Sequence, residues 1–234
     1  MFCVKIMKDR IIYIDLDDTI IKNNAVSTAL SEAYKKISSI TNVNLDFVKR
    51  EAMLTHLEFV KNNDIKAFDW DFLVNLVSNR LGHGNLNINI EDLVKTYLDK
   101  IIILDNALDM LKKLKEKYVL VLSTNGLYKY QRWAIDKFGL SDYFDEIITP
   151  DKVGCIKTCR KFYSYPNEDY KKLVIGDHLI FDVYYPKKFG LETILVDRGY
   201  KQSIKTYAET LGVNLLLIKP DFIIKHLNDV FQII

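Results

Sequence analysis

Seven side chains stand out as a chemical set: Asp15, Asp17, Thr124, Asn125, Lys157, Asp177 and Asp182. Asp15 and Asp17 come directly after the apolar run Ile11 to Ile14, with Asp18 and Thr19 behind them. Taken alone, an Asp cluster after a strand is as easily a polar turn. The reading becomes chemical because three more polar clusters follow other apolar runs: Thr124 with Asn125, then Lys157, then Asp177 with Asp182. Gathered carboxylates repel one another and call for a cation. A hydroxyl and an ammonium beside them suit a phosphate.

These residues need elements that bring them together. A continuous apolar run such as Ile11 to Ile14 suits a strand buried on both faces of a parallel sheet. Further strands are expected at Tyr118 to Leu122, Glu146 to Thr149, Leu173 to Ile175, Thr193 to Val196 and, as an edge, Leu215 to Ile218. Helical patterns lie between them, which predicts a doubly wound, mostly parallel α/β sheet with right-handed crossovers. In such sheets ligands bind beyond the carboxyl ends of the strands. All four polar clusters fall at those ends, so they converge.

The alternation is interrupted after the first strand. Helices are predicted from Ser27 (as an N-cap), across Leu45 to Lys61, from Asp69, and through Ile90, Val94, Tyr97 and Ile101. Residues 22–102 therefore read as an all-helical insert, and 1–21 with 103–234 as the core. Asp105 is expected to cap the next helix and Asp221 the last, with Phe222, Ile223, Leu227 and Val230 inward. A short helix is expected to end at Pro166.

Bulk properties exclude several classes. A 49% hydrophobic and 27% charged composition is that of a globular chain able to bury a core without staples. A net charge of +2 gives no reason to expect nucleic acid, and no run suits a membrane span. Three cysteines, Cys3, Cys155 and Cys159, and no signal peptide fit reduced thiols in the cytoplasm. No partner His or Cys at ligand spacing makes Cys155 and Cys159 a zinc site. His56 and His83 are candidate substrate contacts; His178 and His226 are expected in solvent.

The motifs, in this order, resemble the haloacid dehalogenase-like hydrolase superfamily, in the subgroup with a helical cap after the first motif. Asp15-Leu16-Asp17-Asp18-Thr19 matches its DxDxT signature, and Leu122 to Gly126 its second motif. Val153 to Lys157 resembles the third, and Gly176-Asp177 with Asp182 the fourth, GDxxxxD. Thr158 stands where the family often has proline. The stretch from Thr124 to Ile147 also resembles the family's phosphatases, nucleotidase-like members among them.

The resemblance implies roles. Asp15 would be the nucleophile that forms an aspartyl phosphate, and Asp17 would protonate the leaving oxygen and then activate water. Mg²⁺ would be held by the carboxylates of Asp15 and Asp177 and the backbone carbonyl of Asp17. Asp182 would orient the metal's ligands, unless it serves only as a helix start. Thr124, with Ser123 as its rival, and Asn125 would bind the phosphate, helped by backbone N–H groups near Asp18 and Asn125. Lys157 would neutralise Asp15 and the phosphate, with Lys152 and Lys161 as rivals.

The expected activity is Mg²⁺-dependent hydrolysis of a small phosphorylated metabolite by a monomer or homodimer. Dehalogenation is disfavoured because it does not use the acid that Asp17 supplies. A phosphomutase, a phosphorylatable receiver-like domain and a non-catalytic binding protein stay open. A receiver would draw its acidic pair and its phospho-acceptor from different strands and lacks so large an insert.

Overall fold

The computed structural model describes residues 10–165, 170–199 and 202–234. Cys3 and Pro166 lie outside the described residues. β1 (Arg10–Ile14) is buried at its last four positions. A tight turn leads to β2 (Ile21–Asn23) and α1 (Asn24–Thr41). Next come α2 (Leu45–Lys61), α3 (Trp70–Arg80) and α4 (Ile90–Thr96), and then β3 (Ile101–Ile103), antiparallel to β2. The four helices form a cap entered and left through this two-stranded ribbon.

The core then alternates: α5 (Ala107–Lys117), β4 (Val119–Ser123), α6 (Tyr128–Lys137), β5 (Glu146–Ile148) and α7 (Pro150–Val153). β6 (Lys171–Gly176) is followed by a π-helical segment, Leu179–Tyr184, that runs into α8 (Tyr185–Lys188). β7 (Glu192–Val196), α9 (Gln202–Leu211) and β8 (Phe222–Ile224) complete it.

The core sheet has six strands in the order β5-β4-β1-β6-β7-β8, all parallel. β1 lies at its centre, between β4 and β6. Ile14 pairs with Leu122 on one side and Ile175 on the other. That register brings Asp15, Thr124 and Asp177 out at one edge of the sheet. Ile12, Ile14, Leu122 and Ile175 pack into a core continuous with the cap, and Ile11, Tyr13, Val121 and Val174 pack with Phe162 and Tyr163 on the other face. A fully buried side chain of this size contributes about 2 kcal/mol, so the strand that carries the acidic pair is firmly seated. Among the described residues no helix is long and apolar enough to cross a membrane.

Several expectations change. Leu215–Leu217 is a 3₁₀ turn with Leu216 and Leu217 exposed, and the edge strand is instead Phe222–Ile224. Phe222 and Ile223 point outward rather than into a core. Asp221 caps nothing: it accepts from the Thr193 amide at 2.8 Å and pairs with Lys187, which fastens β8 to β7. Asp105 does not cap α5 but pairs with Arg198 and accepts from the Leu227 amide. Ser27 lies inside α1, which starts at Asn24. Ile101 falls on the helical stripe of α4 yet belongs to β3, because Asn23 pairs with it across the ribbon. α9, absent from the sequence reading, packs on α2 of the cap.

Candidate active site

The turn after β1 sets the site. Ile20 and Ile21 donate to the Leu16 carbonyl, and Asp18 takes a left-handed conformation, φ 59°. Arg198 braces this turn by donating to the Asp18 and Thr19 carbonyls at 3.0 and 3.1 Å. The Asp18 amide donates to the Ile21 carbonyl at 2.7 Å, so it is committed to the turn, which leaves neighbouring amides for the role expected near Asp18.

Asp15 is buried, its Oδ2 accepting from Thr19 Oγ1 at 3.1 Å and its Oδ1 from Lys157 Nζ at 2.6 Å. The same ammonium reaches Asp182 Oδ1 at 2.6 Å. Lys157 itself is 1% exposed. Its rivals lie elsewhere: Lys152 pairs with Glu146 on the surface, and Lys161 is exposed. The Lys157 amide donates to Asn125 Oδ1 at 2.9 Å, which fixes the loop that delivers the lysine.

Asp15, Asp177 and Asp182 each offer a carboxylate oxygen within 4.8 Å of the others. Asp182 is held by Lys157 and by the His178 amide at 3.0 Å. Gly176 makes its approach possible, since a Cβ there would lie 2.3 Å from Asp182 Cγ. Asp17 turns its carboxylate the other way, to Gln131 Nε2. The carboxylate trio therefore contains Asp182 where the sequence reading placed Asp17, whose expected contribution was its backbone oxygen.

Burial pushes the Asp15 carboxyl up to about 7, and the Asp182 and Asp17 charges add to the effect while Lys157 opposes it. Asp177 is raised well above the usual carboxylate range, first by burial and then by Asp15. One buried ammonium does not offset this much negative charge. The donor set is all hard oxygen, which fits a divalent cation such as Mg²⁺.

A stability prediction follows. Between pH 3.8 and about 7 the unfolded chain has released a proton that folded Asp15 keeps. Metal-free stability therefore falls as pH rises through that window. The melting temperature of chelated protein should drop by several degrees between about pH 5 and about pH 8. Mg²⁺ should raise it, and more at the higher pH, where no proton competes for the carboxylates. Differential scanning fluorimetry checks both signs.

Thr124 Oγ1 accepts from the Gly126 amide at 3.0 Å and from Gln131 Nε2 at 3.2 Å, which leaves its hydrogen free to be donated into the cavity. It is thus a turn residue and an available donor at once. Ser123 is fully buried and does not line the cavity. His178 is half-buried and lines the cavity rather than standing in open solvent. Its Nδ1 accepts from the Ile180 and Phe181 amides at 3.3 and 3.4 Å, and burial lowers its pKa to about 4. His56 is buried: it bonds to the Ala67 carbonyl and to Tyr207 Oη, both at 2.7 Å. It thereby ties the cap to α9. His226 is exposed near Asp105 at the start of the last 3₁₀ segment.

The clusters enclose a cavity of 390 Å³ between core and cap. Val26, Leu30, Phe68 and Trp70 of the cap line one side, with Phe181 and Tyr207 of the core. Four polar latches hold the cap down. They are His56 with Tyr207, Asn63 with the Ile156 amide and Thr158, Asp69 and Asp71 with Lys129 and Tyr130, and Glu91 with Arg132.

The sequence reading missed Gln131, Arg198, Trp70 and Tyr207. Gln131 sits in the first turn of the helix that follows Thr124 and Gly126, where a polar side chain is commonplace.

Comparison with known proteins agrees with this architecture. A family model described as haloacid dehalogenase-like hydrolase matches residues 10–175. Pyrimidine 5'-nucleotidase YjjG of Escherichia coli is 26% identical over 129 residues, 53% of this chain and 57% of that protein. The chain thus aligns with little more than half the length of that relative. Glyceraldehyde 3-phosphate phosphatase of Methanocaldococcus jannaschii is 26% identical over 201 residues, 80% of this chain and 85% of that protein. A crystal structure of a HAD phosphatase from Thermococcus onnurineus superposes with a TM-score of 0.74 at 25% identity, covering 96% of this chain and 97% of that one. The chain belongs to the haloacid dehalogenase-like hydrolases.

Proposed function

We propose that this chain is a Mg²⁺-dependent phosphatase of small phosphate monoesters, working through an aspartyl phosphate on Asp15. The observation that carries the reading is the buried triad of Lys157 with Asp15 and Asp182, both at 2.6 Å, beside Asp177. Named phosphatases among the relatives support it.

In this reading Asp15 attacks phosphorus in line with the leaving oxygen. Phosphoryl transfer asks for positioning and charge neutralisation. Lys157 supplies positive charge to the nucleophile and the phosphoryl group. Thr124 Oγ1 donates to a phosphoryl oxygen, and Asn125 holds the Lys157 loop in register. Burial raises the Asp17 carboxyl, countered by bonds from Gln131 and Asn23, which suits a group that must carry a proton near neutrality. Asp17 gives that proton to the leaving oxygen and later takes one from the attacking water. Asp15 and Asp177, with the Asp17 backbone carbonyl, would hold Mg²⁺, and Asp182 would orient them. The ion would neutralise charge between carboxylate and phosphate.

Residues 22–102 serve as the cap, closing over the site and excluding water. A cavity of 390 Å³ suits a metabolite-sized ester rather than a folded macromolecule. The free thiols of Cys155 and Cys159 suit the reducing cytoplasm.

A panel of phosphorylated metabolites beside p-nitrophenyl phosphate tests the activity. Steady phosphate release is expected with Mg²⁺, lost on chelation and restored by the ion. A single labelling event without turnover would indicate a receiver, and phosphate moved between hydroxyls without release a mutase.

A further inference from the structure

Gln131 is 3% exposed and sits in the first turn of α6. Its Nε2 donates to Asp17 Oδ2 at 2.5 Å and to Thr124 Oγ1 at 3.2 Å. Its Oε1 accepts from Asn23 Nδ2 at 3.5 Å, and Asn23 is the last residue of β2, where the chain enters the cap. One amide therefore joins the ribbon of the cap, a phosphate-facing hydroxyl and the acid–base carboxylate. The turn after β4 is shaped around it: a Cβ at Gly126 would lie 2.0 Å from Gln131 Nε2.

Its neighbours along the helix face the cap. Lys129 and Tyr130 bind Asp69 and Asp71, and Arg132 binds Glu91. A single turn of α6 thus grips the cap with three side chains and the site with the fourth. Asp17 Oδ1 is buried and has no partner among the described residues. The Gln131 amide is the group that fixes which way the Asp17 carboxylate faces.

We propose that Gln131 is a positioning residue for Asp17, its side-chain amide coupling the hinge ribbon of the cap to the orientation of the leaving-group proton donor. The proposal rests on the phosphatase reading above. An amide does this where a carboxylate or a thioether of similar length does not. It offers two N–H donors to the site and a carbonyl to Asn23, and it brings no charge.

The test compares leaving groups. p-Nitrophenolate departs without a proton, whereas an alkyl oxygen must be protonated as it leaves. Gln131→Met and the near-isosteric Gln131→Glu are assayed with Mg²⁺ on p-nitrophenyl phosphate and 2-phenylethyl phosphate. In both variants kcat/KM should fall at least ~10-fold further on the alkyl ester than on the aryl one. Asn23→Ala should show the same selectivity to a smaller degree. An equal loss on both esters, which a merely structural or phosphate-binding role would give, overturns the proposal, as does no loss on either. If Gln131→Met fails to fold, Gln131→Glu carries the same comparison. A wild-type chain inactive on both esters removes the phosphatase reading itself. An active wild type with a loss that ignores the leaving group removes only the role given to Gln131.

Discussion

Asp15→Asn should fold and turn nothing over, with kcat reduced by roughly 10⁴ or more. The amide preserves shape, and its oxygen can still accept from Lys157 or Thr19. What disappears is, among the described residues, the only carboxylate oxygen placed both against the buried ammonium and at the end of the central strand. The melting temperature of the metal-free variant should stay within a few degrees of wild type. Removing one charge beside Asp177 and Asp182 relieves repulsion that burial already makes costly. The acid-side gain in stability should shrink as well, because the group that keeps its proton up to about pH 7 is gone. Measurable turnover in a preparation free of wild type would remove Asp15 as nucleophile.

Lys157→Met should damage both activity and stability. The side chain is as buried as any in the core, and its ammonium holds two carboxylates at 2.6 Å. Breaking a buried pair by deleting one partner costs about 3–5 kcal/mol, since the remaining charge is left uncompensated. For a chain of this size that lowers the melting temperature by roughly 10 °C. Acidification should recover part of the loss, because Asp15, whose carboxyl burial pushes up, can then take up a proton. Mg²⁺ should recover part of it by another route, supplying positive charge to the same carboxylates. Activity should fall about 10³-fold in kcat/KM even where the variant is folded. Lys152→Met and Lys161→Met should leave activity within about 2-fold, since exposed lysines contribute little. A Lys157 variant with normal turnover would place the active-site cation elsewhere.

The convergence of the polar clusters was readable in the sequence for a simple reason. Parallel strands with apolar runs on both faces put every carboxyl end at one edge, so residues 15, 124 and 177 had to meet if the strands were real. α2, expected across Leu45 to Lys61, is found at those bounds. What failed depends on distant pairing. Ile101 continues a helical spacing, and only its partner Asn23, far along the chain, makes it a strand. Leu215 to Ile218 is as apolar as an edge strand, but the hydrogen-bonding edge of β7 is taken by Phe222–Ile224, whose outward side chains hide the signal. Gln131 looked like an ordinary polar residue on a helix. Its meaning comes from Asp17, 114 residues away. The burial of His56, and the half-buried setting of His178, are likewise properties of the closed cap and α9, and local composition carries no trace of them.

A rapid-quench experiment decides most directly whether this site attacks phosphorus with a side-chain oxygen. Enzyme in excess over a labelled phosphate monoester, with Mg²⁺, is stopped in acid within one turnover and digested. Label should appear on the peptide that contains Asp15, be released by hydroxylamine as an acyl phosphate is, and be absent in Asp15→Asn. Phosphate release with no labelled peptide at any quench time, under conditions where turnover proceeds normally, would mean that water attacks the ester directly and Asp15 is not the nucleophile.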